Sequence, residues 1–466
     1  MNNSRKYLFV NASIVTSSKV GQGALFTNNG IIEDIWDVDK DIILKQHPDT
    51  IVKDMTGKAL MAGGIDAHVH FREPGMTQKG DMASESAAAL LGGVTSIIDM
   101  PNTTPPTTSA ETIEEKCKLA KSKCITNWGF HIGATNHNVD EILSLVREGR
   151  DSIFAGVKVF MGSSTGNMLV DNGESLEKLF REYKGRIAVH CEDEEIIRSN
   201  MEKAIAQFGE KIPIEMHEAI RSRSACIKST QKALDLAVKY GTKLHITHVT
   251  TEEEVDMIRE AKKKNPDISA ETSANYLFFT NKFYKRLGSL IKCNPSIKTE
   301  SDRQALICGI KDGTIDSVGS DHAPHLREEK DRPYTKCPSG IPSIQHSLSV
   351  LLTIARQEGI PLNRIASAFS EKPGELFSIK GKGKLDVGYD ADIIVLDLDR
   401  KFKVKAGGQG NSGIGYKCGW SPYQGLELEG FVEEVYLHGN PTVNHGILAN
   451  IAALPPSTGM KLEFWK

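Results

Sequence analysis

From about residue 59 the chain alternates short apolar runs with helical stretches, and this alternation limits what it can fold into more than any other feature. Strands are expected over 60–66, 94–99, 128–133, 154–160, 186–191, 243–248, 267–271 and 315–320. Helices fit between them, for example over 82–91, 110–122, 226–240 and 252–264, the last stopped by Asn265-Pro266. Eight parallel βα units close a (β/α)8 TIM-type barrel, an α/β fold. The flanks have another texture. Residues 1–58 set short apolar runs between turn signals such as Asn28-Asn29-Gly30 and Thr56-Gly57, a small antiparallel β pattern. After about 380 the β texture returns, with Gly388-Tyr389-Asp390-Ala391-Asp392 as a turn before Ile393 to Leu396; Gly407 to Gly415 reads as a loop. The expected organisation is a barrel over 59–378 and a small β-sandwich domain formed by both chain ends, 1–58 and 379–466.

A chain of 466 residues accommodates one such barrel and a smaller domain. A net charge of −3 with no basic block argues against a nucleic acid or an acidic membrane surface, which leaves a small molecule as the expected partner. The eight cysteines include no C-x-x-C pair, and Met-Asn-Asn-Ser-Arg-Lys lacks the apolar centre of a signal peptide, so a reduced, cytoplasmic setting is expected. No apolar run approaches the ~20 residues that span a bilayer.

In a barrel of this type chemistry sits at the carboxyl ends of the strands, and the polar residues that fall there are consistent with one another. In Gly64-Ile65-Asp66-Ala67-His68-Val69-His70, two histidines at i and i+2 put both imidazoles on one face of a strand end, a chelate geometry suited to zinc. Arg72 follows with a forked donor for a substrate carboxylate. His190 ends the fifth expected strand and His248 the sixth; His245, earlier on that strand, competes with His248, which is preferred because it is nearer the carboxyl end. Lys158 interrupts the apolar run Phe154 to Met161, and a buried ammonium without a partner tends to deprotonate. A neutral amine can add carbon dioxide, giving a carbamate able to bridge two divalent metals. Asp321, directly after the last strand, can ligate a metal and take a proton from metal-bound water. Each has a plainer alternative: satisfied core histidines, an edge-strand lysine, a helix-capping aspartate.

Taken together, His68-Val69-His70-Phe71-Arg72-Glu73-Pro74-Gly75, Met100-Pro101-Asn102-Thr103, Asn294-Pro295 and Ser320 to His325 resemble the amidohydrolase superfamily. The resemblance is to its cyclic-amide branch of dihydroorotases, hydantoinases and allantoinases, and is strongest to the dihydroorotases. It runs from about residue 55 to Ser421-Pro422-Tyr423. It implies two zinc ions per subunit, the first held by His68, His70 and Asp321, the second by His190 and His248, with carboxylated Lys158 bridging them. It also implies that Arg72, Asn102, Asn294 and His325 hold dihydroorotate, with Ser339 and Gly340 touching the ring. The implied reaction is reversible hydrolysis of L-dihydroorotate to N-carbamoyl-L-aspartate, a step of pyrimidine synthesis, by a metal-activated water whose proton Asp321 accepts and returns. The implied assembly is a homo-oligomer, dimer or tetramer, with aspartate transcarbamoylase as a possible partner.

Two departures stand out. Some dihydroorotases carry an aspartate where Lys158 stands. Many relatives have paired histidines where this chain reads Thr272-Ser273-Ala274-Asn275-Tyr276. Two rival functions remain. A hydantoinase or allantoinase would use the same metals but needs no arginine at the position of Arg72. A non-catalytic dihydroorotase-like scaffold would lose its ligands, whereas all six positions are filled here.

Overall fold

The computed structural model describes residues 5–162, 168–450 and 458–465. Its centre is the expected barrel. The eight strands are Gly64–Val69, Val94–Asp99, Asn127–Phe130 continued by Ile132–Gly133, Val157–Phe160, Ile187–His190, Leu244–Ile246, Ser269–Ser273 and Ser317–Gly319. Each pairs in parallel with the next. The first and last strands meet just beyond their ends: Val69 bridges His322 in parallel, and the His70 N–H donates to His322 O at 2.8 Å. Deeper in the same seam the buried Asp66 carboxylate accepts the Ser320 N–H at 3.2 Å and the His68 N–H at 3.1 Å. Burial raises the Asp66 carboxyl to about 7 against these hydrogen bonds.

The helices carry the end signals that the sequence provides. Glu252–Lys264 opens on a Thr251–Glu254 capping box, with three glutamates in its first turn and three lysines in its last, which complements the helix dipole. Among the described residues no helix is long and apolar enough to cross a membrane.

Both chain ends build a second, nine-stranded sheet. Glu427–Leu437, Ile393–Lys403, Ala59–Ala62, Tyr7–Val15, Val20–Asn28 and Ile31–Trp36 follow one another across it. It departs from the sequence expectation in three ways. It is mixed rather than antiparallel, because Tyr7–Val15 pairs in parallel with Ile51–Asp54 and Ala59–Ala62. The helix Lys40–Gln46, capped by Asp39, supplies the crossover that a parallel return requires.

The strand expected over 60–66 is two strands. Ala59–Ala62 belongs to the sheet and Gly64–Val69 to the barrel, so the sheet extends past residue 58. Gly63 and Gly64 make the transition where no side chain fits: a Cβ would lie 2.2 Å from Thr95 Oγ1 at Gly63 and 2.2 Å from the Phe369 ring at Gly64. The tail, assigned with the sheet over 379–466, lies instead against the barrel. Lys461 bridges Trp128, and Leu462 and Phe464 pack with Ile65, Ala67 and Ile98.

A buried charge cluster ties the two parts together. Lys382 Nζ lies 2.9 Å from Asp392 and 2.5 Å from Asp390, while Asp392 also accepts Asn127 Nδ2 of the third barrel strand at 2.9 Å and the His438 N–H at 2.8 Å. Removing the lysine leaves Asp392 buried and short of its cation. Lys382→Met is therefore expected to lower unfolding free energy by on the order of 3 kcal/mol, read as a lower urea midpoint.

Candidate metal centre and active site

At the carboxyl ends of the strands, His68, His70, Arg72, Phe160, His190, His248, Asn294, Asp321, Ala323, Ser339 and Gly340 line a cavity. The first strand delivers His68 and His70, and the seam with the eighth strand sets Asp321 against them. Asp321 Oδ1 stands 3.4 Å from His68 Nε2 and 3.3 Å from His70 Nε2. These three residues form a group that could hold a metal ion. Behind them each ring gives its other nitrogen to an acceptor: His68 Nδ1–H to Glu271 Oε1 at 2.8 Å and His70 Nδ1–H to Asn102 Oδ1 at 2.7 Å. That fixes the tautomers with both Nε2 lone pairs on the cavity side, the outer-shell arrangement of histidine metal ligands.

Across the cavity His190 Nδ1 and His248 Nε2 lie 2.9 Å apart, and the His68 and His248 rings are 5.2 Å apart between centroids. His190 Nε2 lies 3.0 Å from Glu192 Oε2, and the fully buried Glu192 is in turn held by Arg221. Burial lowers the His70, His190 and His248 imidazoles, His70 to about 4, so these rings are neutral donors at neutral pH. Burial raises the Asp321 carboxyl, but the charge of Lys158 among its neighbours helps hold it below the usual carboxylate range, so it is ionised. A neutral-imidazole and carboxylate donor set of this kind fits a divalent zinc-type cation.

Lys158 lies wholly buried in the fourth strand, its Nζ donating to Thr247 Oγ1 at 3.0 Å. Burial lowers its ammonium to about 8. Of the two histidines that compete on the sixth strand, His248 lines the cavity. His245 sits below it, with Nδ1 2.9 Å from Ser269 Oγ and Nε2 3.6 Å from Glu271.

Arg72 is 1% exposed and still forms part of the cavity wall. Its Nε donates to Pro324 O at 3.1 Å, and its Nη2 packs 3.0 Å from His325 Nε2. Burial lowers the guanidinium to about 10, which leaves it charged. Arg72, His248 and Asp321 all hold positive φ (65°, 40° and 46°), so three of the cavity's polar side chains stand on backbone that L residues rarely adopt. Asn294 Oδ1 is buried without a hydrogen-bond partner among the described residues.

Asn102 and His325, expected to touch a substrate, are not in the cavity wall. Asn102 orients His70, and His325 sits between Lys79 Nζ and Ser339 O, at 3.1 Å from each. The departure at Thr272 to Tyr276 is structural. Asn275 accepts the Tyr423 hydroxyl at 2.7 Å and donates to Ser320 O at 3.3 Å, and the Tyr276 hydroxyl donates to Pro295 O at 2.7 Å. Glu271, Glu192 and Asp66 escape the sequence analysis. Glu271 lies in the strand Ser269–Ser273, whose small polar residues give no apolar run for a charge to interrupt.

Comparison with known proteins agrees with this geometry. The amidohydrolase family profile matches residues 59–441. A dihydroorotase of Methanosarcina acetivorans is 35% identical over 388 residues, covering 81% of this chain and 80% of its own. An allantoinase of Deinococcus radiodurans is 31% identical, covering 84% of this chain and 86% of its own. Among solved structures, the L-hydantoinase (dihydropyrimidinase) from Arthrobacter aurescens superposes with a TM-score of 0.88 at 27% identity, covering 98% of this chain and 99% of its own. With a family match over most of its length and relatives above 30% identity, this chain belongs to the amidohydrolase family.

Proposed function

We propose that the protein is a zinc-dependent dihydroorotase that interconverts L-dihydroorotate and N-carbamoyl-L-aspartate. The observation that carries the reading is Arg72, a buried guanidinium in the wall of the cavity that also holds His68, His70 and Asp321. A charge-bearing planar fork beside the reacting centre suits a cyclic amide that carries a carboxylate on its ring. In this reading His68, His70 and Asp321 would hold one zinc, His190 and His248 a second, and Lys158, as a carbamate, would supply a further anionic ligand. The metals would supply Lewis acidity and a water acidic enough to attack an amide at neutral pH.

The chain's own residues do the rest. Asp321, ionised and facing the cavity, accepts the proton of the attacking water and returns it to the ring nitrogen as the amide bond breaks. Arg72 engages the ring carboxylate and so sets which edge of the substrate faces the histidines. Asn294, with its carbonyl oxygen free, takes a ring N–H, and the Ser339–Gly340 backbone closes over the ring. Glu271 and Asn102 keep His68 and His70 in the ligating tautomer. Asn102 and His325 thereby act on the substrate through His70 and Ser339.

The second reading is a hydantoinase or allantoinase, favoured by the Deinococcus relative and the Arthrobacter structure. The test is loss of ultraviolet absorbance from L-dihydroorotate by purified protein, before and after chelation and after zinc is restored. The proposal expects turnover that vanishes with the chelator and returns with zinc. Zinc-loaded protein inert towards dihydroorotate but active on hydantoin or allantoin would transfer the assignment.

Arg72→Gln is expected to cut kcat/KM for dihydroorotate by ~10²- to 10³-fold, as loss of a buried charge-assisted contact does, with a much smaller effect on an uncharged ring measured in parallel. Lys158→Ala is expected to lower bound zinc per chain and activity together, read by plasma emission spectrometry alongside the assay; full zinc content in that variant would remove the carbamate from the account.

A further inference from the structure

Lys330 and Lys292 are buried cations near the cavity that neither the metal set nor Arg72 explains. Lys330 is fully buried at the end of the short helix Arg327–Lys330, and its ammonium has three backbone acceptors: Lys292 O at 3.1 Å, Pro338 O at 2.9 Å and Gly340 O at 3.0 Å. Lys292 donates to Tyr334 O at 2.8 Å and Cys337 O at 2.6 Å and lies 4.1 Å above the Tyr334 ring. Among the described residues neither forms an ion pair with a carboxylate. A purely structural lysine at such depth ordinarily has a counter-ion, because an unpaired buried charge is expensive.

What the two ammoniums join is specific. On one side is the segment that leads into Asn294. On the other is the loop 334–340, which carries Ser339 and Gly340 into the cavity wall. Further bonds tie the same pair of segments: the Gly340 N–H donates to Lys292 O at 2.9 Å, and His217 links them by donating Nε2–H to Cys293 O at 2.8 Å and accepting the Tyr334 hydroxyl at 2.7 Å. At Gly340, with φ +147°, an added Cβ would lie 2.5 Å from Ala323 O, so this backbone is pressed against the Asp321-to-His325 segment with no room for a side chain.

We infer that Lys330 and Lys292 are positioning residues that stake the 334–340 loop to the Asn294 segment, so that the Ser339–Gly340 wall stands at a fixed distance from Arg72 before a ring carboxylate enters. The inference rests on the proposed dihydroorotase reading for its substrate, but the staking itself does not. Four carbonyl bonds from two charged donors hold the loop, and a fifth, Lys330 to Lys292 O, joins it to the Asn294 segment; among the described residues the adjoining sheet contact is the single bridge of Ile341 to His322. A wall fixed in advance spares the ordering cost of closing it around the ligand, so its loss falls on binding before it falls on bond cleavage.

The test is Lys330→Met, which keeps the unbranched stem and removes the donors, compared with the unaltered protein in the zinc-loaded full chain. Expected are a KM for L-dihydroorotate raised about tenfold with kcat within about threefold, full zinc content, and amide exchange across 334–340 accelerated at least tenfold by hydrogen–deuterium mass spectrometry. A folded variant with unchanged KM and unchanged exchange overturns the inference, as does a fall in kcat and thermal stability at constant KM, the outcome of a merely structural role. Should Lys330→Met fail to fold, Lys292→Met carries the same test. The exchange measurement needs no turnover. Faster exchange in a protein inert towards dihydroorotate would leave the staking intact and remove only the substrate, whereas unchanged exchange with normal dihydroorotate turnover would remove the staking alone.

Discussion

The site depends on the seam between the first and eighth barrel strands. Asp66 reaches across it to the Ser320 N–H while also accepting from His68, and the His70 N–H continues the pairing to His322 O. Those few hydrogen bonds set the register in which His68 and His70 meet Asp321. Strand residues alternate faces, so a slip of one residue along this seam would turn both imidazoles away from the carboxylate. The buried Asp99–Lys116 pair steadies the adjoining backbone, Asp99 Oδ1 accepting the Phe71 N–H at 2.8 Å between His70 and Arg72. The left-handed backbone at Arg72, His248 and Asp321 is strain of a kind that persists only where such surroundings over-determine it.

Burial then governs the chemistry. It keeps the His70, His190 and His248 imidazoles neutral, leaves the Lys158 amine within reach of neutrality, and sets the one carboxylate between two histidines. The same burial would be costly without acceptors behind the rings, and Glu271 and Asn102 fill that place for His68 and His70, while Glu192 lies 3.0 Å from His190 Nε2. Glu271 stays ionised despite its depth: the His68 imidazole hydrogen-bonds to it, and the His245 ring lies 3.6 Å away.

Much of this was legible in the sequence because the barrel writes its period openly. The eight strands fall close to the expected spans, and His68, His70, His190, His248 and Asp321 could be read as strand-end residues from the apolar runs that precede them. What escaped has physical causes. The division of 60–66 into two strands turns on Gly63 and Gly64 passing under Thr95 and Phe369, contacts between distant parts of the chain. The parallel pairing of Tyr7–Val15 depends on a seven-residue helix too short for its periodicity to register. The motif groups Asn102 and His325 with the histidines but does not record that Asn102 accepts from His70 Nδ1–H or that His325 Nε2 meets Ser339 O. The Thr272-to-Tyr276 segment anchors its neighbours by hydrogen bonds to Tyr423, Ser320 and Pro295, partners that lie far away in sequence.

The account's central claim is that two sets of donors face one cavity, with Lys158 between them. Anomalous diffraction at the zinc edge, from crystals grown with zinc and bicarbonate, tests it most directly. The account predicts two peaks, one among His68 Nε2, His70 Nε2 and Asp321, the other at His190 Nδ1 and His248 Nε2, joined by density that continues from Lys158 Nζ. Zinc bound outside this cavity, or a bare Lys158 ammonium still donating to Thr247 beside a filled site, would contradict it.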